Sequence, residues 1–138
     1  MQKIEEKMLL RIVDANFNRA KEGLRVCEDI CRFIIDNKRL TINFKNVRHD
    51  LTKIISSLKF KTVIVARNIE GDIGKGSTVS EFKREKLFDV FIANSQRAKE
   101  SVRVLEEFSK LLNKKLAQDL KSLRYKIYAY EKKVIEKL

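Results

Sequence analysis

Asn16, Arg19 and Gly23 stand three and four residues apart in the string ANFNRAKEG. On an α-helix that spacing lines them up in one strip. Together they supply a carboxamide, a permanent cation with a forked set of donors, and a gap with no side chain. Asn94, Arg97 and Ser101 repeat the arrangement further along. Around the first strip the apolar residues Val26 and Ile30 extend the helix's apolar arc, so Asn16, Arg19 and Gly23 are expected to turn towards the interior. A guanidinium there is costly unless it meets an anion or a full set of acceptors. Two readings follow. Each arginine is a structural cation that satisfies helix C-termini or a buried carboxylate across a pseudo-dyad, or the two strips face each other across a cleft that holds phosphate.

A second candidate lies in Arg67-Asn-Ile-Glu70-Gly71-Asp72-Ile-Gly74-Lys75-Gly76-Ser77-Thr78, which mixes cations, carboxylates and three of the four glycines. Thr78 and Glu81 have the spacing of a capping box at a helix start. Free N–H groups after flexible glycines make an anion site. The segment is not a P-loop, because Lys75 is followed by Gly76 where that motif needs Ser or Thr.

The elements that must position these residues come from a repeat. Residues 15–29 read ANFNRAKEGLRVCED and residues 93–107 read ANSQRAKESVRVLEE, identical at nine of fifteen positions. The match resumes after a two-residue indel, with Leu40, Lys45 and Arg48 opposite Leu116, Lys121 and Arg124. Val13, Phe17, Ala20, Leu24, Cys27, Cys31 and Ile34 recur at spacings of three and four, the stripe of an amphipathic helix, and Phe33 is counted in the same arc. The expected fold is all-α: a duplicated helix-hairpin resembling a four-helix bundle, with a central glycine-containing loop. Residues 1–138 form a single domain, with repeat units at about 14–57 and 92–136 linked by 58–91. Helices are expected near 14–36, 39–57, 80–112 (with a break near 88–91 left open) and 114–136, with breaks near Asn37 and Asn113 and an extended stretch at 63–66. Glu22, Arg25, Glu28 and Asp29, with their counterparts Glu100, Arg103, Glu106 and Glu107, read as surface ion-pair ladders.

Composition narrows the function classes. A hydrophobic fraction of 43% with 36% charged residues describes a folded, well-solvated chain. No apolar run approaches the ~18 residues of a membrane span, and residues 1–14 lack the features of a secretory leader. Cys27 and Cys31 are the only cysteines and His49 the only histidine, too few for a structural metal site. Buried thiols in a reducing cytoplasm are expected. The net charge of +12 suits an anionic partner: nucleic acid, membrane or phosphorylated metabolite.

Taken in order, DANFNRAKEGLRVCED, NVRHDL, ARNIEGDIG, ANSQRAKESVRVLEEF and SLRYKIYAYE resemble the small alternative hydroxymethylpyrimidine phosphate kinases of thiamin biosynthesis. That family occurs alone or fused ahead of thiamin-phosphate synthase, and this chain resembles the standalone form. The resemblance implies ATP-dependent phosphorylation of the pyrimidine monophosphate to its diphosphate, with no action on the free alcohol. The sequence departs from the family pattern at Asn68, where the loop commonly reads Arg-Asp, and at Lys75-Gly76. A kinase whose acceptor is already a phosphate can dispense with a strong base and rest on cations and Mg²⁺. The residues themselves then suggest roles. Arg19, Arg97 and Arg67 neutralise charge in catalysis, while Asn16, Arg48, Lys75, Asn94 and Arg124 contact substrate or nucleotide. Asp72, with Glu70 second, meets the Mg²⁺–nucleotide. Expected partners are the phosphorylated pyrimidine, ATP and thiamin-phosphate synthase, with neither nucleic acid nor membrane; a homo-oligomer is left open. Two rival readings are a basic nucleic-acid-binding helical protein, against which the absence of a recognition motif speaks, and a non-catalytic module serving the synthase.

Overall fold

The computed structural model describes residues 3–78 and 83–138. Five α-helices account for most of them: α1 (Lys3–Asp29), α2 (Lys38–Ile55), α3 (Phe60–Val65), α4 (Leu87–Ser109) and α5 (Lys114–Ile135). Among the described residues there is no strand, so the all-α expectation holds.

Each half is a hairpin whose second helix starts on an asparagine. The Asn37 carboxamide oxygen accepts from the Leu40 amide at 2.9 Å, and Asn113 accepts from the amides of Lys115 and Leu116. These side chains satisfy donors that a helix start leaves orphaned. The two breaks differ in width. After α1 the chain widens into a π-helical turn over Ile30–Ile34 and places Asp36 at φ 56°. After α4 it tightens into turns in which Leu111 and Leu112 donate to Phe108 and Ser109. The indel between the repeats is absorbed here, outside the paired helices.

The helices pack as a ring: α1 on α2, α2 on α5, α5 on α4, and α4 on α1 in the largest contact. α1 and α4 run antiparallel, since Gly23 of α1 meets Asn94 and Ala98 near the start of α4, while Leu9 shares a groove with Phe108 near its end. One apolar core joins all the helices, including Val13, Leu24, Phe44, Leu51, Phe91, Leu105, Leu120 and Ile127. Phe44 and Phe91 meet edge to face across it, with centroids 6.2 Å apart.

Four expectations need correction. α1 starts at Lys3, eleven positions before the expected residue 14, because Leu9, Leu10 and Val13 continue the buried stripe backwards. Residues 63–66 are not extended: Phe60–Val65 is a short helix that buries Val63 against the core, and burial on α1 outweighs β-branched propensity. α4 starts at Leu87, where Asp89 accepts from the amides of Glu85 and Lys86 at 3.2 and 3.0 Å. The proposed Thr78–Glu81 cap reaches into 79–82, outside the described residues. Phe33 is 65% exposed rather than part of the core, because the π-helical turn rotates it out of the stripe.

Candidate functional site

The repeated Glu and Arg residues settle first, because each repeat uses them in the same way. Glu28 and Glu106 are buried. Arg48 donates from Nε to Glu28 at 3.0 Å, and Arg124 from Nε to Glu106 at 3.0 Å. Each pair ties the two helices of its own hairpin together. Arg124 adds a 3.2 Å hydrogen bond to the Tyr128 hydroxyl. Burial works against its charge, but the bonds to Glu106 and Tyr128 outweigh burial and hold the guanidinium above its usual range. Glu28 and Glu106 are therefore not members of surface ladders, as expected above, whereas Arg25–Asp29 and Arg103–Glu107 are. Arg48 and Arg124, expected to contact ligand, each hold a buried carboxylate, the structural role that the sequence left open for a different pair of arginines.

Arg19 and Arg97 do not point into the interior. Both are exposed, so neither is a buried cation awaiting compensation. The strip lies at the edge of the apolar arc, and a helical wheel cannot tell whether that edge faces a neighbour or water. Nor does Gly23 leave room for a ligand. A β-carbon there would lie 2.7 Å from the Asn94 carbonyl oxygen, so the space is taken by the backbone of α4. Asn16 and Asn94 are used alike: each carboxamide donates to the carbonyl four residues back, Ile12 at 2.9 Å and Val90 at 2.8 Å. The two strips do not close on one another as a cleft.

What closes over the first strip is the segment after α3. Asp14, buried on α1, accepts from Arg67 in a side-on pair, Nε to Oδ2 at 2.6 Å and Nη2 to Oδ1 at 2.7 Å. Asn18 also donates to this carboxylate at 3.2 Å. The hydrogen bonds to Asp14, then its charge, hold the Arg67 guanidinium above its ordinary range. Since Asp14 takes Nε and one side of Nη2, the Nη1 edge of Arg67 keeps its donors for another acceptor. The loop beyond is folded by its own side chains, with the Gly71 amide donating to Asn68 at 2.8 Å and the Gly74 amide to Asp72 at 2.9 Å.

The result is a pocket of about 530 Å³ between α1 and this loop. Arg11, Asp14, Asn16 and Arg19 line it from α1, and Arg67, Asn68, Ile69 and Asp72 from the loop. Four of the expected site residues thus meet: Asn16, Arg19, Arg67 and Asp72. Glu70 and Lys75 are exposed on the loop outside the lining, and Asn94 and Arg97 of α4 are not part of it either. Two charged lining residues were not anticipated. Asp14 has Ile92 at its repeat position, so the repeat gave no signal for it. Arg11 lies upstream of the repeat, although it is two turns before Arg19 on the same helix and was legible as such. Neither Arg11 nor Arg19 has a carboxylate partner among the described residues. Three guanidiniums facing two carboxylates, one of them already paired, leave a site that favours anions.

The second half carries a closed polar knot that the first half lacks. Ser95 and Lys99 of α4 both donate to Glu131 of α5, Lys99 at 2.8 Å. At the matching positions the first half has Phe17, Lys21 and Ile55, and Phe17 packs on Phe60 with centroids 5.3 Å apart. Cys27 and Cys31 are buried free thiols. Among the described residues there is no cluster of three or more His, Cys, Asp or Glu able to hold a metal, and no helix is long and apolar enough to cross a membrane.

Comparison with known proteins adds a family. The family model of the ThiD2 family matches residues 11–133. The chain is 39% identical over 130 residues to a thiamine-phosphate synthase of Rhodopirellula baltica, covering 94% of this chain and 35% of that protein. It is 38% identical over 127 residues to the thiamine-phosphate synthase of Nostoc punctiforme, covering 91% and 35%. A third, from Prochlorococcus marinus subsp. pastoris, is 36% identical over 132 residues, covering 95% and 36%. The chain spans about a third of the length of these relatives. No solved structure matches it.

Proposed function

The chain belongs to the ThiD2 family, and on that premise we propose that it acts in thiamin biosynthesis as a phosphotransferase that converts hydroxymethylpyrimidine monophosphate to the diphosphate with ATP. The observation that carries this reading is the gathering of Arg11, Arg19 and Arg67 with Asn16 around one pocket. An acceptor phosphate is already an anionic nucleophile. Its oxygen attacks the terminal phosphorus of ATP, the bond to the bridging oxygen breaks, and ADP leaves with the electron pair. No side chain need remove a proton, which suits a pocket with no histidine. The protein's work is to hold two polyanions in line and to offset their charge. Arg19 and the free edge of Arg67 do this, and Asp14 keeps Arg67 aimed.

Magnesium fits the lining in one way. It binds through one or two carboxylates together with substrate phosphates and water, and Asp72 is a pocket carboxylate with one oxygen engaged by Gly74. Asp72 would hold the nucleotide's Mg²⁺, which offsets phosphate charge; Glu70, outside the lining, is not needed. The place of action we propose is the cytoplasm, where unpaired Cys27 and Cys31 remain thiols.

The test is a coupled assay of the purified protein with ATP, Mg²⁺ and the pyrimidine monophosphate. Diphosphate should form while the free alcohol is left untouched. Equal turnover of both compounds defeats a dedicated phosphate acceptor. One observation favours a second reading: the relatives bear only the synthase name and match over about a third of their length. A non-catalytic module serving thiamine-phosphate synthase would show no ATP turnover and would co-purify with that enzyme.

A further inference from the structure

Beside the polar pocket runs an apolar groove of about 440 Å³ between the start of α1 and the end of α4, lined by Glu5, Met8, Leu9, Ile12, Phe108 and Leu111. Met8 and Ile12 line both spaces, so the two adjoin as neighbouring sections of a trough along α1. Its chemistry differs between the two sections. Guanidiniums and amides line the section beside the loop, Arg11 among them, while Leu9, Phe108 and Leu111 line the section beside the end of α4 together with the single carboxylate of Glu5. Met8 and Leu111 are 57% and 67% exposed.

Resting on the phosphotransferase reading, we infer that this trough is the nucleotide site, with the purine base in the apolar groove and the phosphates among Arg11, Arg19 and Arg67. Three features carry the inference. The sections are continuous through shared side chains, so one ligand can occupy both. Leu9 and Arg19 are ten residues apart on one helix, roughly 15 Å at 1.5 Å per residue. A base held away from its terminal phosphate by a ribose and two further phosphates spans such a distance, and a ring carrying a single phosphate does not. Arg11 and Arg19 stand two turns apart on the same trough, spaced to meet different phosphates of one chain rather than to pinch a single one. Glu5 is placed to accept from an amino group on the base.

Direct binding measurements on the whole protein test this, with ATP, tripolyphosphate and the pyrimidine monophosphate as probes. Met8→Gln combined with Leu111→Asn changes two exposed side chains, so the fold should survive. ATP should bind about tenfold more weakly, the scale of losing apolar contact with a ligand group, while tripolyphosphate binds as before. Arg19→Gln should weaken both. Unchanged ATP affinity in the double variant overturns the inference, as does a loss confined to the pyrimidine monophosphate; both leave the phosphotransferase reading standing if turnover persists. A wild-type protein that binds neither ATP nor tripolyphosphate overturns the inference and that reading together.

Discussion

The two hairpins share one clamp and differ in what they enclose. Glu28–Arg48 and Glu106–Arg124 are the same interaction built twice, and each joins the helices of its own half. The pocket, by contrast, lies against α1, the first of the two helices that carry the strip. There Asp14 replaces the Ile92 of the second half and captures Arg67 from the connecting segment. In the second half Ser95, Lys99 and Glu131 tie α4 to α5 where the first half stacks Phe17 on Phe60. The contrast teaches that a duplicated strip, Asn16 and Arg19 like Asn94 and Arg97, becomes a candidate site where unduplicated residues, Asp14 and Arg67, close over it.

The largest effect should come from breaking the shared clamp. In the Arg124–Glu106 pair both side chains are under a tenth exposed, so Arg124→Met leaves Glu106 buried and alone. Its cost should be about 3–5 kcal/mol by urea denaturation. Arg48 is more exposed than Arg124, and Arg48→Met should cost less. Equal losses would mean that the halves are equally dependent on their clamps.

Next comes the strip itself. Arg19→Met should lower turnover of the pyrimidine monophosphate about 10²-fold, the scale of losing one charge-stabilising donor. Since the side chain is exposed, the thermal midpoint should hardly move. Arg97→Met, on the half without the pocket, should keep most activity. A reversal of these two results would place the chemistry on α4.

Gly23→Ala sharpens the comparison at the helix crossing. Its new methyl meets the Asn94 backbone carbonyl, which cannot rotate aside, and the strain should cost about 1–3 kcal/mol. Ser101→Ala, at the repeat position, removes one oxygen and creates no clash; its thermal melt should lie near wild type.

The smallest effect concerns the thiols. Burial, and then the charges of Cys31 and Glu131, push the Cys27 thiol above its usual range; burial, and then Glu28, push Cys31 up to about 11. In the native state both hold their protons where the unfolded chain, near 9.0, has lost them. The stability this contributes is present below pH 9 and is lost as pH rises towards 11, about 1 kcal/mol at pH 10 for Cys31. Replacing the pair by the residues of the second half, Cys27→Leu with Cys31→Ser, should flatten that decline in denaturation midpoints measured at pH 8 and pH 10.

Much of the scaffold could be read from the residues. The repeat, the asparagine breaks and the three- and four-residue spacing gave four long helices and most of the core. The site was legible in part: Asn16, Arg19, Arg67 and Asp72 do meet, but not for the reason their spacing suggested. Periodicity assigns a residue to an arc; it does not say whether the arc's edge meets water or another helix, and Arg19 and Gly23 fall on that edge with opposite outcomes. The Asp14–Arg67 pair joins residues 53 positions apart, and neither sits at a duplicated position, so no local pattern pointed to it. Glu28 and Glu106 have the spacing of a surface ladder, and only the packing of α2 and α5 buries them.

The widened turn after α1 bears on how such a chain changes over generations. Ile30–Ile34 takes up extra backbone without turning the helices on either side out of phase, and Asp36 finishes the excess in a left-handed step. Length can therefore be gained or lost at this elbow while Asn16, Arg19 and the Glu28–Arg48 clamp keep their rotational setting. The same two residues inserted between Asn16 and Glu28 would swing everything beyond them by about 200° around the helix. The elbow is a place in the first hairpin where a duplicated gene could drift in length and still encode a pocket.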